Sequence, residues 1–154
     1  MVMNMKIVEY FSSECPEHWL SEIGRCDWRA GQFLHQLLRE RRFHQMGYVL
    51  TADGEPIGIL RWSLFWDSIP FCNLLYVEGG HQRKGFGRRL TAHWEKDMQA
   101  RGYNLVMTST QSDEAAQHFW RKLGYRDCGG LTLPFPGHEQ PLELILGKTL
   151  EEIP

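Results

Sequence analysis

Apolar positions along the chain fall into short alternating runs separated by longer runs with helical spacing. Lys6–Tyr10 (KIVEY) predicts a first strand. Ser12 and Ser13, followed by Pro16, mark a helix start that leads into Trp19, Leu20 and Ile23, with Gly24 as its stop. Asp27 reads as the N-cap of a second helix, in which Phe33/Leu34 and Leu37/Leu38 recur at helical spacing before Gly47 ends it. From Tyr48 the period changes. YVLTA, the turn Asp53-Gly54-Glu55 and PIGILRWSLFW predict an antiparallel hairpin, because an Asp-Gly pair supplies the positive φ angles of a tight turn. Asp67-Ser68-Ile69-Pro70 forms the next turn, and Phe71–Val77 is a fourth strand apolar enough to lie near the middle of a sheet.

Past this strand, Leu90, Trp94 and Met98 share one face of a helix closed by Gly102, and that stripe reads as core. Tyr103–Thr108 is a fifth strand, reached through a helix and therefore parallel to the fourth by a right-handed crossover. Ser112-Asp113-Glu114 places a hydroxyl and two carboxylates at the start of another helix, which Gly124 ends. Tyr125–Leu133 and Leu142–Lys148 are the last strands, with LPFPGHEQP as the loop between them. The order β-α-α-β-β-β-α-β-α-β-β places the chain in the α/β (α+β) class, with a mixed, mostly antiparallel sheet of about seven strands.

Composition narrows the class of partner. A chain of 154 residues with 42% hydrophobic content suits one compact domain spanning 1–154. A net charge of −2 gives no whole-protein field to draw nucleic acid or an anionic membrane, and the Arg39/Arg41/Arg42 cluster reads as a solvated helix C-terminus. Cys15, Cys26, Cys72 and Cys128 are scattered without a CxxC pair, which argues against a disulfide framework and a zinc site; no metal is expected. The opening MVMNMKIVEYF lacks a long apolar core followed by a cleavage site, so the expected location is the cytoplasm.

The candidate chemistry centres on Gln82-Arg83-Lys84-Gly85-Phe86-Gly87, a glycine loop between a strand and a helix. Consecutive backbone N–H groups at a helix start can hold a diphosphate. GxG before a helix also occurs where a chain simply turns tightly. The sequence has no GxxxxGK[ST], and Leu90 stands where a Rossmann fingerprint wants a third small residue. What remains is a diphosphate cradle on a mixed sheet.

QRKGFG at 82–87, preceded by LLYV, resembles the central motif of the GCN5-related N-acetyltransferases (GNAT family), which acylate amines from acetyl-CoA. A second hallmark resembles that family's last helix: Ala116, Phe119-Trp120, Lys122 and Gly124-Tyr125. The resemblance covers essentially the whole chain and implies the GNAT fold. It implies that the fourth and fifth strands splay apart, and that Leu75, Tyr76 and Val77 hold the pantetheine arm and thioester. It further implies that the N–H groups of Gln82, Arg83, Lys84, Gly85, Phe86, Gly87 and Arg88 take the pyrophosphate. Asp113, where many relatives carry Asn, would touch the cofactor, and Ala116, Phe119 and Trp120 would line its thiol end.

Transfer needs an uncharged amine about 3 Å from the thioester carbonyl, donors for the developing oxyanion and a proton source for the departing thiolate. The family commonly has a proton-donating Tyr where this chain has Trp120, whose indole N–H is no useful acid. Phe71 and Asn73 occupy the strand face where several relatives place a carboxylate or histidine. Asn73 either orders a water or the acceptor, or is a satisfied strand amide. Glu78 either serves as base through a water or is a solvated loop carboxylate. Cys72, on the opposite face, reads as core. The acceptor regions hold Trp19, Trp28, Trp62, Phe65, Trp66 and Phe135, of which Trp28 and Trp62 are the substrate-wall candidates. The expected function is transfer of acetyl from acetyl-CoA to a primary amine of a small molecule. The alternatives are a peptide or protein amine as acceptor, and a catalytically weak CoA-binding module. A homodimer is compatible with the resemblance.

Overall fold

The computed structural model of the chain describes residues 4–11 and 46–151. The two helices expected between Ser12 and Gly47, and with them Trp19, Trp28, Cys15, Cys26 and the Arg39/Arg41/Arg42 cluster, lie outside the described residues. Seven strands form one sheet: β1 (Met5–Phe11), β2 (Met46–Ala52), β3 (Glu55–Phe65), β4 (Ile69–Val77), β5 (Leu105–Gln111), β6 (Arg126–Leu131) and β7 (Glu143–Thr149). Their order is β1-β2-β3-β4-β5-β7-β6. Two α-helices are described, α1 (Phe86–Ala100) and α2 (Ala116–Lys122). Among the described residues no helix is long and apolar enough to cross a membrane. The chain divides into two compact units, one holding the described residues up to Ser63 with Leu74–Trp94, the other holding Leu64–Asn73 and the described residues from Glu95.

The first unit is built on antiparallel ladders. β1 pairs with β2 from Met5–Ala52 to Phe11–Met46, and β2 pairs with β3. The connecting turn has Asp53 at φ 50 and Gly54 at φ 85, as the Asp-Gly pair predicts, and Asn4 N–H donates to Asp53 Oδ1 at 2.8 Å. Leu50 lies opposite Gly58 while Thr51 lies opposite Pro56, so Ile57 is an extra residue, a bulge in β3. Tyr48, Leu50, Ile59, Leu60, Leu90 and Trp94 are at most 1% exposed and form the core. Burying such side chains contributes about 1.5–3 kcal/mol each.

Gly47 departs from its expected role as a helix stop. It lies inside β2 opposite Arg61, and a Cβ there would come 2.1 Å from the Leu60 carbonyl oxygen. It is glycine because a neighbouring backbone occupies the space of a side chain.

In the second unit the β3–β4 turn falls two residues earlier than the sequence suggests. Trp66 and Asp67 take the positive φ angles, 54 and 55, and Ser68 N–H donates to Phe65 O at 3.1 Å. Ile69 and Pro70 therefore belong to the strand. β4 runs parallel to β5, pairing Phe71 with Met107 and Cys72 with Thr108, and Thr108 Oγ1 donates to Cys72 O at 3.1 Å. β7 pairs antiparallel with both β5 and β6.

Gly102 (φ 94) and Gly124 (φ 93) each end a helix in the same way. Tyr103 N–H reaches Met98 O and Gly102 N–H reaches Gln99 O; Tyr125 N–H reaches Trp120 O and Gly124 N–H reaches Arg121 O. Both are Schellman motifs. The first explains why β5 begins at Leu105 and not at Tyr103, whose N–H is committed to the helix end. Ser112 does not cap α2: its N–H bonds Leu142 O, and the helix begins after Ala115 with no side-chain cap.

Replacing Gly47 with Ala is expected to destabilise the fold by about 2 kcal/mol or more, because the strands must shift to admit the methyl group. Urea denaturation checks this; unchanged stability would contradict the close approach.

Candidate active site

The residues singled out in the first unit follow one another from strand end to helix start. β4 ends at Val77, and Glu78 N–H donates to the Ile57 carbonyl at 2.9 Å. That acceptor is the extra residue of the β3 bulge, so the bulge fixes where the strand stops. Gly58 beside it is needed for close packing, since a Cβ there would lie 3.1 Å from Leu90 Cδ1 and 3.4 Å from Tyr76 O. An isolated glycine within PIGIL is the sequence signal for both features, which the hydrophobic pattern alone does not reveal.

A single 3₁₀ turn, Gly79–His81, leads into the glycine loop, and Gln82 Nε2 donates to Val77 O at 2.9 Å, bracing the loop on the strand end. Arg83 and Gly85 both take left-handed conformations, φ 63 and 80. The first is costly for a residue with a Cβ. At the start of α1, Arg89 N–H donates to Gly85 O at 3.0 Å, and Thr91 Oγ1 donates to Gly87 O at 2.9 Å. Phe86, Gly87 and Arg88 open the helix with N–H groups that have no intrahelical acceptor. A Cβ built on Gly85 meets nothing within 4 Å, and Arg83, Lys84, Arg88 and Arg89 are all exposed around it. Open space, free amides, a positive helix end and four cationic side chains fit a diphosphate.

Glu78 and His81 are less expected. Glu78 Oε1 and His81 Nδ1 are buried without a hydrogen-bond partner among the described residues. Burial pushes the Glu78 carboxyl above its ordinary value; burial first, and the Glu78 charge second, raise the Tyr76 phenol. Glu78 is thus a half-buried carboxyl whose Oε1 has no donor among the described residues. Leu75, Tyr76 and Val77 are half-buried at the strand end. Trp62 is 3% exposed and packs with the core of this unit.

The second unit holds the remaining candidates. Asn73 is exposed on β4, and Cys72 beside it is buried, as alternation predicts. Asp113 is exposed in the turn before α2, Ala116 and Phe119 are half-buried, and Trp120 is 4% exposed. Trp120 stands edge-on to Phe119 at 5.1 Å and to Tyr125 at 4.9 Å, the latter contact closing the Schellman motif. Tyr125 donates its hydroxyl to Glu95 Oε2 at 2.8 Å, and Lys148 Nζ donates to Glu95 Oε1 at 2.7 Å. Burial, then the Glu95 charge, push the Tyr125 phenol far above its ordinary value, so this hydroxyl is a structural donor and no substitute for the acid that Trp120 lacks. Among the described residues no group of three or more His, Cys, Asp or Glu is placed to hold a metal ion.

With this geometry in place, comparison with known proteins identifies the class. The sequence profile described as "Acetyltransferase (GNAT) family" matches residues 5–125, and the chain belongs to that family of acetyltransferases. A search of curated proteins gives no match. Among solved structures, the ribosomal-protein-S18-alanine N-acetyltransferase from Escherichia coli superposes with a TM-score of 0.70 at 17% identity, covering 98% of this chain and 97% of that one. An aminoglycoside 6'-N-acetyltransferase complexed with coenzyme A gives 0.69 at 17%, covering 97% and 99%. A GNAT family acetyltransferase from Elizabethkingia anophelis with acetyl-CoA bound gives 0.66 at 16%, covering 96% and 99%. At these identities the likeness is one of fold.

Glu78 supplies a pH signature. Its folded-state pKa lies above the ordinary 4.5, so the folded chain holds more protons than the unfolded chain between those values. Stability therefore falls as pH rises through that window. Glu78→Gln removes the loss: the variant's stability relative to wild type should increase as pH rises from 4.5 through the raised folded-state value. Thermal melts across that range check this, and a relative decrease would show that the carboxylate is stabilised by its surroundings.

Proposed function

We propose that the protein transfers an acetyl group from acetyl-CoA to a primary amine of a small molecule by direct attack on the thioester. The amine nitrogen forms the new C–N bond, the C–S bond breaks, and the proton lost from nitrogen ends on the CoA thiol. The observation that carries the donor half is the loop Gln82–Arg88, whose left-handed Gly85, open space and unpaired helix-start amides suit a diphosphate. Main-chain groups of Leu75, Tyr76 and Val77 take the pantetheine arm in this reading, and Asp113, Ala116, Phe119 and Trp120 serve its thiol end, as the family resemblance implies.

For the proton, Glu78 acts through a water. Its raised proton affinity brings it nearer the working pH of a general base, and the unpartnered Oε1 has room for one more donor. Asn73 orients the acceptor or its water. With Trp120 in place of a phenol, the departing thiolate is protonated by a water that recovers the proton held on Glu78, so the amine's proton ends on the thiol. Acetylation of a peptide or protein amine uses the same chemistry and is the competing acceptor class, supported only by the resemblance of fold to the Escherichia coli enzyme named above.

Calorimetry with CoA and a thiol-release assay over a panel of amines test this together. Saturable CoA binding with amine-dependent thiol release is expected; binding without release on any amine would leave a CoA-binding module, and no binding would sink the reading. Gly85→Val forces a β-branched residue into the left-handed region and fills the open space. It should raise the Kd for CoA by about tenfold or more while wild-type-like melting is retained.

A further inference from the structure

Glu78 Oε1 and His81 Nδ1 are buried without a hydrogen-bond partner among the described residues, so they do not bond each other either. The 3₁₀ turn Gly79–His81 places them. His81 N–H donates to Glu78 O at 2.8 Å, and residues three apart across such a turn lie on one side of it. The His81 ring stands 6.2 Å from that of Phe86, tilted by 44°, which sets it against the first residue of α1 and so beside the donor cradle. The outer side of the turn is open: Gly79 and Gly80 are exposed, and a Cβ on either meets nothing within 4 Å. The half-buried ring thus has an inner nitrogen, Nδ1, and an outer one, Nε2, that is not sealed in.

An unpartnered carboxyl oxygen and an unpartnered imidazole nitrogen on one side of a turn call for a small group that bonds both, and a water does so. The other ionisable side chains of this segment are Tyr76, whose phenol is raised by burial and then by the Glu78 charge, and the exposed Arg83, Lys84, Arg88 and Arg89. Tyr76 keeps its proton, and the cations have no lone pair to take one. A neutral imidazole can take a proton at one nitrogen and give one up from the other, so His81 is the group suited to empty Glu78.

Proton count shows why such a path is needed. A primary amine, like a lysine side chain, is an ammonium at neutral pH. Acetylation removes two protons from its nitrogen, one before attack and one after the C–N bond forms. The thiolate freed when the C–S bond breaks takes up one of them. The other must reach solvent, and Glu78 must lose it before it can hold the second.

We propose that His81 carries this first proton from Glu78 to solvent through one bridging water, entering at Nδ1 and leaving from Nε2. The proposal rests on the acetyltransferase reading above and adds a positioning residue to it, since His81 acts through Glu78 and does not touch the substrate.

The test compares hexylamine, which arrives charged at neutral pH, with trifluoroethylamine, which arrives uncharged, in wild type, His81→Ala and His81→Gln. On hexylamine at neutral pH both variants should lose about tenfold or more in kcat, and the loss should shrink as pH rises toward the amine's own pKa. On trifluoroethylamine kcat should change little. Free imidazole should restore His81→Ala on hexylamine and leave wild type unchanged, while the Kd for CoA and the melting curves stay as in wild type. An equal loss on both amines at every pH would reduce His81 to packing, and no loss on hexylamine would remove it from the path; either result overturns the proposal. Failure of the acetyltransferase reading is told apart by nitrogen spectra of the histidine-labelled protein. If neither amine is acetylated or CoA does not bind, a His81 Nδ1 signal that moves in Glu78→Gln at fixed pH still supports the pair as a proton path, and an unmoved signal overturns it.

Discussion

The structure turns on how one helix is held by its middle while its first turn stays open. Leu90, Trp94 and Met98 are fully buried, and this stripe anchors α1. Its N-terminus is kept free by Gly85, at φ 80, which turns the chain into the helix without placing a side chain over the first amides. The loop itself is tied back by Gln82 to Val77 O, and the strand end by Glu78 N–H to the bulged Ile57. Bulge, strand end, turn and helix start thus form a continuous set of backbone constraints whose product is a row of unpaired donors facing solvent.

A second set of constraints explains why Trp120 and Tyr125 behave as structure. The Schellman motif at Gly124 brings the two rings together, and Glu95 then takes the Tyr125 hydroxyl on one oxygen and the Lys148 ammonium on the other. A phenol held this way binds its proton more tightly, since ionising it would strand a charge in a buried site and, secondly, set it beside that of Glu95. In the proposed mechanism the chemistry left to side chains is correspondingly sparse: Glu78, Asn73 and the solvent.

Much of this was legible in the sequence because local chemistry and tertiary demand agree. Asp53-Gly54 makes the turn it predicts, the Leu90/Trp94/Met98 stripe is core, and Gly102 and Gly124 end helices. Errors arose where a distant backbone decides. Gly47 looked like a helix stop because nothing local records that Leu60 O lies across from it. Ser112 reads as a helix start, but its N–H bonds the Leu142 carbonyl and the helix begins only after Ala115. The Tyr103 N–H was lost to the helix end, which shortened β5. In the site, the glycine loop was readable from its spacing, whereas the unpartnered Glu78 and His81 atoms depend on which side chains the bulge and the turn bring together. Trp62 is buried in the core, because tryptophan is as useful to packing as to binding.

The central claim is that the backbone amides from Gln82 to Arg88 receive the diphosphate of the donor. Titration of the isotopically labelled protein with CoA, followed by amide proton–nitrogen correlation spectra, reads those amides one by one. The account predicts that the largest shift changes fall on Gln82–Arg88, with strong downfield movement at Gly85, Phe86 and Gly87, and that desulfo-CoA reproduces them. Saturable binding that leaves these amides in place and perturbs only other regions would contradict it.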